Sequence, residues 1–217
     1  PRFYGLPFHG SGPDQTQGET SMYRKMVFFT LSFLLVVSLI GCGGLRYNMS
    51  TPEAKGFHPK RIGILPVSVG SFAEARGVID QTILTALVER KWFTRVVSID
   101  TLMRKGQTDR ELEDDVSAYL NKLENLNYSD PELSRKIGDF SQVDALLIVS
   151  LDYWNYLKDE DTKIAKVGLG IRMVNAETGK LVWEARHIQA DRFLVAKPGL
   201  PDVAKKLVKT MARHMPR

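Results

Sequence analysis

One cysteine, Cys42, is all that 217 residues contain, so everything after it lacks a disulfide, a thiolate metal site and a thiol nucleophile. Histidine is nearly as scarce. His58, His187 and His214 lie far apart, none with a metal-ligand neighbour one helical turn away, and they read as solvated or packed side chains with no metal centre. Phosphate-binding loops are missing too. Gly168 and Gly170 form a G-x-G without a third glycine, inside a strand pattern and not at a strand-to-helix turn. Val69-Gly70-Ser71 does sit at such a turn, but no Gly-Lys-Ser/Thr follows. No nucleotide or other cofactor is expected. The apolar run Met26 to Ile40 is shorter than the roughly 20 residues a membrane span takes, so it would cross as an uncleaved anchor only with flanking charge and glycine included, and a cleaved signal is the expectation. The net charge of +5 is mild and names no partner.

What is present begins with that apolar run. Arg24 and Lys25 precede it as a positive lead-in, and small residues close it, which is the pattern of a cleaved secretory signal. Leu39-Ile40-Gly41-Cys42 resembles the lipobox of bacterial lipoproteins, which implies that Cys42 is acylated and becomes the mature N-terminus. Several acyl chains would anchor stably, whereas one binds only marginally at about 0.8 kcal/mol per buried CH2. Residue Gly43, which is not aspartate, implies by the same resemblance sorting to the outer membrane. The expected division is residues 1–21 as an upstream or artefactual segment, 22–41 as the lipoprotein signal peptide, 42–60 as lipid anchor and tether, and 61–217 as one periplasmic domain. The tether follows from Asn48, Ser50, Thr51, Pro52, Gly56 and Pro59, which carry no apolar period.

From Arg61 the pattern alternates strands and helices. Ile62, Ile64, Leu65 and Val67 predict a first strand. Ser71-Phe72-Ala73-Glu74 fits a capping box ahead of Ile79, Ile83 and Leu87 at helical spacing. Trp92 to Ile99 predicts a second strand, parallel to the first, with Asp100 capping a short helix from Thr101 to Met103. Thr108-Asp109-Arg110-Glu111 is another capping box, before the apolar stripe Leu112, Val116, Tyr119, Leu120 and Leu123. Asp130-Pro131 starts a further helix. Val143 to Tyr153 contains the near-continuous apolar stretch Ala145 to Val149, expected of a central strand. Ala165 to Met173 alternates as a half-buried strand, Asn175 to Lys180 carries hairpin-turn chemistry, and Leu181, Trp183 and Ala185 line a last strand. A final helix from Asp202 sets Val203, Leu207 and Met211 opposite Lys205, Lys206, Lys209 and Arg213. The expected fold is α/β, a single domain with a mixed sheet of about five strands in the order β-α-β-α-α-β-β-β-α.

Ile64-Leu65-Pro66-Val67, Val143-Asp144-Ala145-Leu146-Leu147 and above all Ile171 to Glu184, with its Asn-Ala-Glu-Thr-Gly-Lys-Leu-Val-Trp hairpin, together resemble a superfamily of bacterial envelope lipoproteins. That superfamily includes the curli-secretion pore lipoproteins and the penicillin-binding-protein activators. The resemblance covers roughly residues 60 to 215, and it implies a protein partner in the envelope, a peptidoglycan synthase or a transport or secretion complex, or a homo-oligomer.

The residues themselves advertise binding and not catalysis. Asp144, Asp152, Asp159, Glu160 and Asp161 supply carboxylates, yet the last three read as a solvated hairpin tip, and no acid–base pair stands out. The basic face of the last helix would suit nucleic acid, which an exported chain seldom meets, and no such partner is expected. Tyr153, Trp154 and Tyr156, with Trp183, are the candidate partner-binding residues, because alternation along a strand turns some rings outward and exposed aromatics are enriched in binding hot spots. The competing reading is that they close the edge of the core.

Overall fold

The computed structural model describes residue 5 and residues 45–104, 110–159 and 162–217. Cys42, the signal-like segment, the Thr108-Asp109 half of the second capping box and Glu160-Asp161 at the hairpin tip lie outside the described residues.

The strands are β1 (Tyr47–Ser50), β2 (Arg61–Ile64), β3 (Arg95–Ser98), β4 (Ala145–Asp159), β5 (Thr162–Asn175) and β6 (Leu181–Phe193). The helices are α1 (Val78–Glu89), α2 (Ile99–Arg104), α3 (Arg110–Leu126), α4 (Pro131–Ser141) and α5 (Leu200–Ala212). The strands form one mixed sheet in the order β1-β6-β5-β4-β2-β3, with β2 parallel to both β3 and β4 and the remaining pairs antiparallel. The α/β class and the parallel pairing of the first two sequence-predicted strands hold.

Alternation divides β4 between two cores. Ala145, Leu147, Val149 and Leu151 face α1 and α5, packing with Ile79, Ile83, Val203, Leu207 and Met211. Leu146 and Ile148 face α3 and α4, packing with Leu112, Val116, Tyr119 and Ile137. Burial on both faces is why this stretch reads as an unbroken apolar run. The first core continues along β5 to Ala165, whereas among the sheet residues the second ends near Ile148 and Val174. The far half of that second face is therefore left without a helix among the described residues.

Several local readings need correction. Tyr47–Ser50, placed in the tether, is a sixth strand whose partner lies some 135 residues further on, a pairing that local pattern does not report. Ser71 caps no α-helix. The segment forms a 3-10 turn at Ala73–Ala75, and α1 starts at Val78 behind Gly77, whose φ of 76° suits glycine and whose N–H donates to the Asp80 carboxylate. Ser98, not Asp100, caps α2, its Oγ accepting from the Thr101 N–H at 3.2 Å. At α4 the Asp130 carboxylate accepts from the Glu132 and Leu133 N–H groups, as the Asp-Pro pair predicts. Asn175 likewise organises the β5–β6 turn, accepting from the Glu177 and Thr178 N–H groups, and Gly179 takes a φ of 66°.

Candidate functional site

The four aromatic residues singled out by the sequence separate into two pairs. Trp183 is fully buried, its indole N–H donating to Asn48 Oδ1 at 2.8 Å and so tying β6 to β1. Trp154 is buried in the core beneath α5. Both are structural, and their assignment to a partner surface is withdrawn. Tyr153 and Tyr156 are 36% and 37% exposed.

A β-bulge causes the division. Leu151 pairs with Leu169, but Tyr153 pairs with Gly168, so β4 carries one extra residue at Asp152. Without it, Tyr153 would follow Leu151 inward and Trp154 would face solvent. The extra residue reverses the alternation, driving Trp154 into the core and Tyr153 onto the uncovered face. Neither residue's chemistry announces this, because a bulge is a property of pairing.

The uncovered face is shaped by two glycines on β5. A Cβ on Gly168 would lie 2.7 Å from the Tyr153 ring, and one on Gly170 would meet the Arg186 guanidinium at 3.2 Å. Both side chains therefore lie flat on the strand, as a larger residue would forbid. Lys166 places its ammonium 3.5 Å from the Tyr153 ring centroid, and Arg186 pairs with Asp152 at 3.5 Å. Tyr47 and Met49, which pair with Arg186 and Glu184, extend the same face as exposed apolar side chains. Asn155 Oδ1 is buried there with no hydrogen-bond partner among the described residues. The G-x-G that failed as a nucleotide fingerprint was thus the sequence signal for this surface.

Tyr156 does a different job. It follows Trp154 on the α5 face but lies past the helix, where its hydroxyl donates to the Pro198 carbonyl at 2.9 Å. Its ring meets Phe193 edge-on at 6.1 Å, and Lys197 lies 3.7 Å from the ring centroid. It fastens the β6–α5 connection to the hairpin. Immediately beyond β6, Leu194 and Val195 are 80% and 95% exposed.

A cleft of about 460 Å³ lies between the start of β2 and the β5–β6 turn, lined by Phe57, Arg61, Arg135, Asp144, Asn175 and Glu177. Both of its arginines are engaged by carboxylates of the same lining. Arg61 meets Asp144 with Nε and Nη2 at 3.0 and 2.6 Å, and Arg135 meets Asp139 at 3.3 Å. Burial raises the Asp144 pKa, but the Arg61 guanidinium and the Lys60 and Arg61 N–H groups outweigh it and hold the carboxyl below its ordinary value. The arrangement locks β2 to β4 and offers a strongly held anion, the opposite of a proton acceptor poised near neutral pH. His187, pushed down by burial and by Arg46, accepts from the Arg46 N–H. Among the described residues no three His, Cys, Asp or Glu side chains converge to hold a metal, and no helix is long and apolar enough to cross a membrane.

No family model matches the chain, and no curated protein matches it in sequence. Among solved structures, the PelC dodecamer from Paraburkholderia phytofirmans is similar to 78% of this chain over 96% of its own, at 12% identity and a TM-score of 0.51. Lipoprotein GNA1162 from Neisseria meningitidis matches 71% of this chain and 99% of its own at 16% identity and a TM-score of 0.46. The LpoB C-terminal domain from Salmonella enterica matches 63% and 87% at 12% identity and 0.33. The likeness to PelC is one of fold.

Proposed function

We propose that this chain is a bacterial lipoprotein, anchored in the outer membrane through acylated Cys42, whose α/β domain binds or scaffolds an envelope complex from the periplasmic side. It acts by association and not by catalysis. The observation that carries the reading is the uncovered half of the sheet, where Tyr153 and Arg186 lie flat over Gly168 and Gly170 beside exposed Tyr47 and Met49. Aromatic rings and arginines on a rigid sheet are the composition of interface centres. The Leu39 to Cys42 pattern supports both the anchor and an envelope setting. Partners of the expected kind are a peptidoglycan synthase or a transport or secretion assembly.

A second reading, assembly of identical copies, is favoured by one observation: a structure similar in fold, that of PelC, is a dodecamer. A membrane-spanning pore built from this domain is disfavoured. Its three long strands exceed the 9–11 residues a spanning strand needs, but their inner faces are committed to the core under α5.

Crosslinking in intact envelopes, followed by purification of the tagged chain, tests the proposal. Wild type should capture a defined envelope protein or a second copy, and Arg186→Glu should weaken that capture without changing the melt. Equal capture by both proteins would remove the uncovered face from the account.

A further inference from the structure

The sheet has one long open edge. β6 runs from Leu181 to Phe193, but β1 accompanies it only from Trp183 to Arg186. Among the described residues nothing pairs with the outer side of residues 187–193. The departure of the chain is marked at Arg46, whose N–H donates to the His187 ring at 3.2 Å and not to the backbone of β6.

The free backbone groups can be assigned. Thr51 donates to the Val182 carbonyl at 3.0 Å, so residue 182 points its backbone towards β1. The β5–β6 register is regular from Trp183 to Phe193, and alternation then turns the N–H and C=O of Ile188, Ala190 and Arg192 outward along the same edge. Folded proteins usually blunt such an edge with proline, charged side chains, a bulge or brevity. Residues 187–193 have no proline, lysine or bulge, and of their two charges Asp191 is already neutralised by Lys206 within the chain, whereas the opposite edge of the sheet, β3, is four residues long.

We propose that this edge pairs antiparallel with the same edge of a second copy, about a two-fold axis at Ala190. The inference rests on the reading that the protein works by association, and it names the surface. Ala190 is the midpoint of the seven free residues. Pairing there sets Ile188 opposite Arg192, Gln189 opposite Asp191 and His187 opposite Phe193, with no like charges face to face. Ala190, small and exposed, meets itself. The outward groups of the three residues would form about six interchain hydrogen bonds.

The register also gives a role to two side chains the monomer leaves unexplained. One step beyond Phe193 the next position, beside Arg186 of the second copy, is already filled by that copy's Tyr47, the first residue of β1, so the chain has to leave the edge at Leu194. Leu194 and Val195, 80% and 95% exposed, would then pack against Tyr47, itself 44% exposed. The gap left by β1 has the length of the strand that would fill it. Joined in this way, the two sheets become continuous, and their uncovered faces form one surface.

The test uses the full chain in detergent, with Cys42→Ser so that an introduced cysteine is the only one. Ala190→Cys should give a bismaleimide-linked species at twice the chain's 24.5 kDa. Val88→Cys, exposed on α1, should stay at single mass. In co-purification of two differently tagged copies, wild type should capture itself. Ala190→Lys and Ala190→Glu should each lose self-capture while melting like wild type, and a mixture of the two should regain it, because only a two-fold contact sets residue 190 against itself. Self-capture of wild type without rescue by the mixture would overturn the β6 edge and leave association through another surface. A wild-type chain that never captures itself would overturn both this pairing and the assembly of identical copies, leaving only a different envelope protein as partner.

Discussion

Truncating the aromatic residues one at a time should separate core from surface. Trp183 is fully covered, and replacing it with alanine removes a side chain of about 150–250 Å² along with its contacts, a loss of about 3–5 kcal/mol. The lost bond to Asn48 adds little, because Asn48 is exposed and can turn to water. In a domain of this size each kcal/mol lowers Tm by about 2–4 °C, so the expected fall is about 6–20 °C. Trp154→Ala should behave in the same way. Tyr153→Ala removes a ring that lies on the surface over Gly168, where no cavity is left behind, and about 1–2 kcal/mol is expected. Tyr156→Ala should fall between these, since it also frees the Pro198 carbonyl. Differential scanning calorimetry of the four variants measures the order directly. If Tyr153→Ala costs as much as Trp183→Ala, the bulge at Asp152 has not turned residue 153 outward, and the proposed surface loses its central ring.

Gly138→Ala should destabilise by about 1–3 kcal/mol in a denaturant melt, because the added Cβ would lie 2.7 Å from that of Ala176 and push α4 off the β5–β6 turn. Leu147→Asp places an unpaired charge at a position with no exposure and should abolish the cooperative transition, as read by circular dichroism. Acid should weaken the fold through Asp144: its folded pKa lies below the unfolded value of about 3.9, so its contribution is complete above that value and disappears as pH falls through the folded one. A plot of Tm against pH for Asp144→Asn should therefore be flatter than wild type on the acid limb. Cys42→Ser should abolish uptake of labelled fatty acid, measured by autoradiography of the purified chain.

The sequence made the helical middle, the Asp130 cap and the Asn175 hairpin legible because each rests on contacts within a few residues. It hid whatever depends on pairing. Tyr47–Ser50 has no period of its own and becomes a strand only because Trp183 to Arg186 lies beside it. The apolar run from Ala145 told of two-faced burial, but the reversal at Asp152 is set by register against β5, so the four aromatics could be named from the sequence and not sorted. Ser71 shows the limit of motif matching: a capping box needs a helix to cap, and Gly77 with its positive φ delays that helix to Val78. Gly168 and Gly170 were noticed for a chemistry they do not perform, while their actual consequence, two side chains lying flat on a sheet, is visible only once β4 and β6 are placed on either side.

Association through the uncovered face is tested most directly by placing a photoactivatable amino acid at Tyr153 and, as a control, at Val88 on α1, then irradiating living cells. The account predicts one or a few discrete adducts from position 153, formed with an envelope protein or a second copy, and none shared with position 88. Adducts that are absent from position 153, or identical from both positions, would contradict it.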